Sequence, residues 1–143
     1  MTVPFSVLIS VYIKENPENF RQALISIWND QTLKPSEIVL VKDGPLTDDL
    51  EKVISAFKEI TPLKIIALPE NVGLGTALKI GLESCSNELV ARMDTDDIAS
   101  SNRFALQINY LIQNPSCFLV GSNIEEFHVE SFEFNTGAAS RPK

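Results

Sequence analysis

The chain has 143 residues, 44% of them apolar and 22% charged, with 12 Lys and Arg against 19 Asp and Glu for a formal net charge of -7. That balance excludes a disordered tail, a collagen-like chain and a disulfide scaffold, and it suits a single globular domain over residues 1–143 that needs no staple to fold. The negative charge excludes nucleic acid as the main partner, and an acidic chain that handles phosphates needs a divalent cation as mediator.

Phe5 to Tyr12 is short, β-branched and almost wholly apolar, which predicts a strand covered on both faces. Asn16 reads as a helix cap with Pro17 at the first helical position, and Phe20, Ala23, Leu24, Ile27 and Trp28 continue at helical spacing to about Gln31. Glu37 to Val41 is a second strand, ended by Asp43-Gly44-Pro45. A helix from Thr47 or Asp48 carries Leu50, Val53, Ile54 and Phe57, and Asp48 with Glu51 has capping-box spacing. Leu63 to Leu68 is a third strand. Asn71 to Gly75 then turns into a helix with Leu74, Ala77, Leu78, Leu82 and Cys85 as its apolar stripe.

Glu88 to Met93 is a fourth strand, followed at once by Asp94-Thr95-Asp96-Asp97. A helix from about Ser101 carries Phe104, Ile108, Leu111 and Ile112, Cys117 to Gly121 is a fifth strand, and Ile124 to Phe134 alternates irregularly as an extra one. Strands separated by helical crossovers predict an α/β fold with a mainly parallel sheet and helices on both faces. No run approaches the roughly 18 apolar residues of a membrane span, and no secretory signal is visible. Cys85 and Cys117 lack metal-ligand spacing and read as free thiols of a reducing compartment. A cytoplasmic location is expected, with a membrane-bound parent left open.

In an open parallel sheet ligands bind outside the carboxyl ends of the strands. Polar residues recur there: Ser10 and Tyr12, then Asp43, then Asn71 and Gly73, then Asp94, Asp96 and Asp97. The last three repel one another, and a hard cation shared with phosphate oxygens reverses that term. The bland alternative is a solvated turn, or a carboxylate that merely favours the next helix's N-terminus. An EF-hand is excluded by Ile98 and Ala105 at ligand positions. Gly73-x-Gly75 resembles the start of a dinucleotide fingerprint, but Leu78 stands in place of its third glycine. Lys42 and Arg92 flank this edge and read as surface ion-pairing groups, and His128 belongs to no triad or zinc set.

Taken together, Ser6 to Tyr12, Glu37 to Pro45, Asn71 to Leu82 and Ala91 to Asp97 resemble glycosyltransferase family 2, and most of all its bacterial exopolysaccharide branch, the amylovoran-type transferases. The resemblance implies a GT-A fold: a Rossmann-like nucleotide-sugar-binding part, here the N-terminal, donor-binding part of a longer, truncated enzyme. It implies a glycosyltransferase, inverting, that moves a sugar from a UDP-sugar to a saccharide or lipid-linked saccharide in cell-surface polysaccharide biosynthesis. Mn²⁺ or Mg²⁺ would lie across the diphosphate. By position, Ser10 and Tyr12 line the nucleotide pocket, Asp43 bonds the base, and Asn71, Gly73 and Lys79 form a second nucleotide-side motif. Asp94-Thr95-Asp96 fits the DxD motif, with Asp94 toward the ribose and Asp96, or Asp97 in an alternative frame, toward the metal. Lys42 departs from the acidic residue common before the Asp.

A catalytic base is expected beyond residue 143, Glu125 and Glu126 being poor substitutes, and the parent would work at the inner face of the membrane. The competing reading is a non-catalytic nucleotide-binding or receiver-like signalling module.

Overall fold

The computed structural model describes residues 3–121. Among them eight elements alternate: β1 (Ser6–Val11), α1 (Pro17–Ile27), β2 (Glu37–Lys42), α2 (Asp48–Lys58), β3 (Leu63–Ala67), α3 (Leu74–Ser84), β4 (Val90–Met93) and α4 (Arg103–Gln113). The strands form one parallel sheet in the order β3-β2-β1-β4, with Ile9 opposite both Leu40 and Met93. The chain steps outward from β1 to β3, then crosses back to set β4 beside β1. Right-handed crossovers place α1 and α2 on one face and α3 on the other. The contacts agree, since α1 packs on α2 and α3 packs on β1 and β2. The reversal between β1 and β4 makes the switch point at which sheets of this kind bind ligands. A receiver would order its first three strands 2-1-3, so that alternative does not fit.

The central strands are apolar throughout because both of their faces are covered. Val7, Ile9, Val11, Ile38 and Leu40 alternate with Leu8, Val39 and Val41, and all are buried. The second set meets Ala77 of α3. Gly81 brings that helix close, for a Cβ there would lie 2.5 Å from Leu8 Cδ1 and 2.7 Å from Val41 Cγ2. Of the stripe expected on α3, Ala77, Leu78 and Cys85 pack against the sheet, and Gly81 joins them in place of Leu74 and Leu82. Ala77 and Gly81 face the sheet, while Leu74 and Leu82 are 56% and 53% exposed.

Local chemistry sets the helix ends. Asn16 Oδ1 accepts from Asn19 N–H at 3.0 Å, with Pro17 behind it. Thr47 caps α2, its Oγ1 accepting from Leu50 N–H at 3.2 Å, so the cap is Thr47 and not Asp48. The first helix ends four residues earlier than its apolar spacing predicts. Beyond Ile27 the chain closes in turns, and the Gln31 side chain donates to Ser26 O.

By contacts the chain divides into two compact units, Met1–Leu106 and Gln107–Lys143. In the second, the described residues are the rest of α4 and a turn. The fifth strand expected at Cys117 to Gly121 is not formed. Cys117 N–H donates instead to Asn114 O at 2.8 Å, closing a turn just past the end of α4, and Phe118 and Leu119 are 94% and 88% exposed. Apolar character supplies a strand's side chains but not the neighbouring edge its ladder requires. The extra strand expected at 124–134, with Glu125, Glu126 and His128, lies outside the described residues. Both cysteines are free and half-buried, and burial pushes the Cys85 thiol up from its ordinary range.

Candidate functional site

Four loops at the carboxyl edge of the sheet enclose a cavity of about 440 Å³. The end of β1 and its loop supply Ser10, Tyr12 and Glu15, and β2 supplies Asp43. Asn71, Gly73 and Leu74 come from the entry to α3, and Asp94, Thr95 and Asp96 follow β4.

Asp43 organises this edge. Its backbone N–H donates to Val11 O at 2.8 Å, and its side chain is buried at 4% exposure. Val72 N–H donates to Oδ1 at 2.7 Å, and Gly73 N–H and Asn71 Nδ2 donate to Oδ2 at 3.2 Å each. The carboxylate thus closes the loop that starts α3, a helix with no side-chain cap of its own. Two backbone positions permit this. Gly44 has φ +90°, and a Cβ on it would lie 2.7 Å from Asn71 N. Gly73 combines φ 94° with ψ 157°, a region closed to residues with a Cβ.

The acidic residues after β4 sit on a turn in which Asp97 N–H donates to Asp94 O at 3.4 Å. Asp94 pairs with Arg92 at 3.1 Å, Thr95 is buried, and Asp96 is exposed. Across the cavity Glu15 is held above its ordinary carboxyl range, first by burial and then by the charges of Asp96 and Asp94. Glu15 therefore shares one negative field with both aspartates. On this loop the candidate residues legible in the sequence end at Tyr12 and do not include Glu15. Following the loop three residues further to the next acidic side chain would have found it.

Two expected site residues do not line the cavity. Lys79 is exposed on α3, and its five-residue distance from Leu74 carries it about 7.5 Å along the helix axis, away from the N-terminal end. Asp97 interacts with the Arg103 guanidinium, which burial lowers from its ordinary pKa while Asp97 and Asp94 oppose the shift. Lys42, the departure beside Asp43, turns to Glu51 at 2.7 Å, and Arg92 pairs with Asp94, so both flanking cations are ion-paired.

Among the described residues no three Asp, Glu, His or Cys side chains converge to hold a metal ion by themselves, so Asp94, Asp96 and Asp97 form no closed cage. Asp94 and Asp96 on one cavity do fit the manner in which Mg²⁺ and similar hard cations bind, through one or two carboxylates completed by substrate phosphates. Among the described residues no helix is long and apolar enough to cross a membrane.

Comparison with known proteins agrees with this geometry. The sequence model of the family described as Glycosyl transferase family 2 matches residues 6–137. The amylovoran biosynthesis glycosyltransferase AmsE of Erwinia amylovora is 50% identical over 123 residues, covering 86% of this chain and 46% of the relative. The UDP-Gal:alpha-D-GlcNAc-diphosphoundecaprenol beta-1,3-galactosyltransferase of Escherichia coli is 38% identical over 136 residues, covering 95% of this chain and 47% of the relative. The chain thus spans about half the length of these curated relatives. In fold it is similar to the mannosyltransferase PcManGT of Pyrobaculum calidifontis, solved in complex with GDP-Man and Mn²⁺. The TM-score is 0.69 at 21% identity, over 87% of this chain and 36% of that one.

Proposed function

The chain belongs to glycosyltransferase family 2, and from that membership we propose that it forms the N-terminal donor-binding part of an inverting enzyme that transfers a sugar from a UDP-sugar to a saccharide or lipid-linked saccharide acceptor. One observation carries the reading. Ser10, Tyr12, Asp43, Asn71, Gly73, Asp94 and Asp96 arrive from four separate loops at one cavity beside the β1/β4 switch point. The names of two relatives support the finer terms, one a UDP-Gal transferase acting on a diphosphoundecaprenol-linked sugar and the other a transferase of amylovoran biosynthesis. A cytoplasmic site at the inner membrane face follows from such an acceptor.

The roles are divided along the cavity. Tyr12 offers a ring face on which a base can stack. Asp43 has one lone-pair direction left for a base N–H, because three of about four are occupied by the 71–73 loop. Asp94 would meet the ribose and Asp96 the diphosphate, where Mn²⁺ or Mg²⁺ would be held. When bound, that cation stabilises the charge developing on the leaving nucleoside diphosphate. The base that deprotonates the acceptor hydroxyl would come from the part of such an enzyme that this chain, spanning about half the length of its relatives, does not cover.

Calorimetry of the chain with UDP, with and without Mn²⁺, tests the reading. UDP should bind with Mn²⁺ and lose most of its affinity under chelation, and Asp96→Ala should abolish the difference while leaving the fold intact. Equal binding in chelator would remove the metal from the proposal.

A further inference from the structure

The loop that carries Asp94 and Asp96 is held from a distance by two buried side chains of the first helix and its exit, and this holding was not visible from the motif itself. Gln31 is 4% exposed and Ser26 is 1% exposed. Gln31 Nε2 donates to Ser26 O at 2.9 Å and to Ser100 O at 2.6 Å, while its Oε1 accepts from Phe104 N–H at 3.3 Å. Phe104 N–H is one of the donors that a helix's first turn leaves without an intrahelical acceptor, so Gln31 caps α4 from 73 residues away. Ser26 Oγ accepts from Ala99 N–H at 3.0 Å, and Thr32 N–H donates to Ser101 O at 2.9 Å. On the other side of the acidic turn, Met93 is fixed in register with Ile9, and Arg103 reaches back to Arg92 O at 2.8 Å. Only residues 94–98 lie between the two anchored ends.

Resting on the proposed donor site, we infer that Gln31 is a positioning residue for metal-dependent nucleotide binding: with Ser26 it fixes the far end of the acidic loop so that Asp94 and Asp96 meet the diphosphate and its cation together. Neither side chain lines the cavity. Both act through backbone groups of residues 99–104, and that mode of action separates positioning from direct contact.

The test uses this chain with Gln31→Met, which keeps the volume and removes both donors and the acceptor, and with Ser26→Ala as the milder variant should the first not fold. Phe57→Leu, in the core of α2, serves as a control for general loss of stability. With Mn²⁺ present, Gln31→Met should weaken UDP binding about tenfold, the low end of what losing an outer support costs a metal site. UDP affinity in chelator should not change. Amide hydrogen exchange should rise across 94–104 and stay slow across 38–42. Equal loss with and without metal, the same selective loss in Phe57→Leu, or unchanged exchange at 94–104 would each overturn the inference. If the unsubstituted chain binds UDP without regard to metal, the proposed donor chemistry fails and exchange alone decides the brace. Faster exchange confined to 94–104 would then uphold it, and no change would refute it.

Discussion

Asp43 shows how one side chain can be both scaffold and cavity lining. Its carboxylate takes hydrogen bonds from Asn71, Val72 and Gly73, and it also lines the cavity. An Asp-Gly-Pro after a strand reads locally as a turn, and only the arrival of residues 71–73 from another crossover gives the carboxylate its partners. Asp43→Asn keeps the shape but sets an amide N–H₂ against backbone donors. It should cost about 1–3 kcal/mol of unfolding free energy by leaving a buried donor unsatisfied, measured by urea denaturation, as well as weakening UDP binding. A loss of nucleotide affinity with no loss of stability would show that the contacts to 71–73 carry no weight.

Among the elements, the entry to α3 concentrates the geometric demands. Gly44 and Gly75 lie close to the same loop, yet they should respond oppositely to an added methyl group. Gly44→Ala would force a Cβ to 2.7 Å from Asn71 N at φ +90°, and should destabilise by about 1–3 kcal/mol. Gly75, in the first turn of α3, has nothing within 4 Å of a built Cβ. Gly75→Ala should therefore stabilise by about 0.5–1 kcal/mol through helix entropy. Thermal melts of the two variants check the opposed signs. The dinucleotide-like pattern of Gly73-x-Gly75 is thus divided, since Gly73 is required by its backbone and Gly75 is not. The element scale also explains why Leu74 and Leu82 drop out of the stripe on α3 while Ala77, Leu78 and Cys85 keep to it. Spacing alone groups Leu74 with Leu82, but a helix lying close on two strands selects its smallest residues for the contact.

Across the whole molecule, the two ends of the sheet treat their carboxylates in opposite ways. At the amino edge Glu37 accepts from Ser6 Oγ at 2.6 Å, from Ser86 N–H, and from Ser86 Oγ at 3.1 Å. Burial opposes ionisation there, but these bonds and the Lys64 charge outweigh it and hold Glu37 below its ordinary range. At the carboxyl edge Glu15 is held above its own. A folded-state pKa below the unfolded one contributes stability above the unfolded pKa, and that contribution is lost as pH falls through the folded value. Glu37 should therefore stabilise the fold at neutral pH and stop doing so in acid. Glu15 has the reverse sign, so the fold gains from its protonation as pH falls through its raised pKa. Glu37→Gln should lower stability at pH 7 by about 1 kcal/mol, the bonds being partly exposed, with a smaller deficit in acid. Glu15→Gln should raise stability at pH 7, with the gain fading in acid. Denaturation midpoints across pH 3–7 would decide both signs.

Residue order was enough for whatever depends on near neighbours and repeating periods. The apolar runs that became β1 and β2, the Asn16-Pro17 start of α1, the crossovers that make the sheet parallel, and the polar edge carrying Ser10, Asp43, Asn71 and Asp94 could all be read from it, because strand faces and helix caps are set within a few positions. Other features needed the chain to meet itself. Glu15 joined the field of Asp94 and Asp96, Asp43 gained its partners at Asn71, Val72 and Gly73, and Lys79 fell outside the cavity. Each of those outcomes depends on a distance between groups far apart in sequence, and a distance of that kind exists only once the sheet order β3-β2-β1-β4 has brought the four loops together.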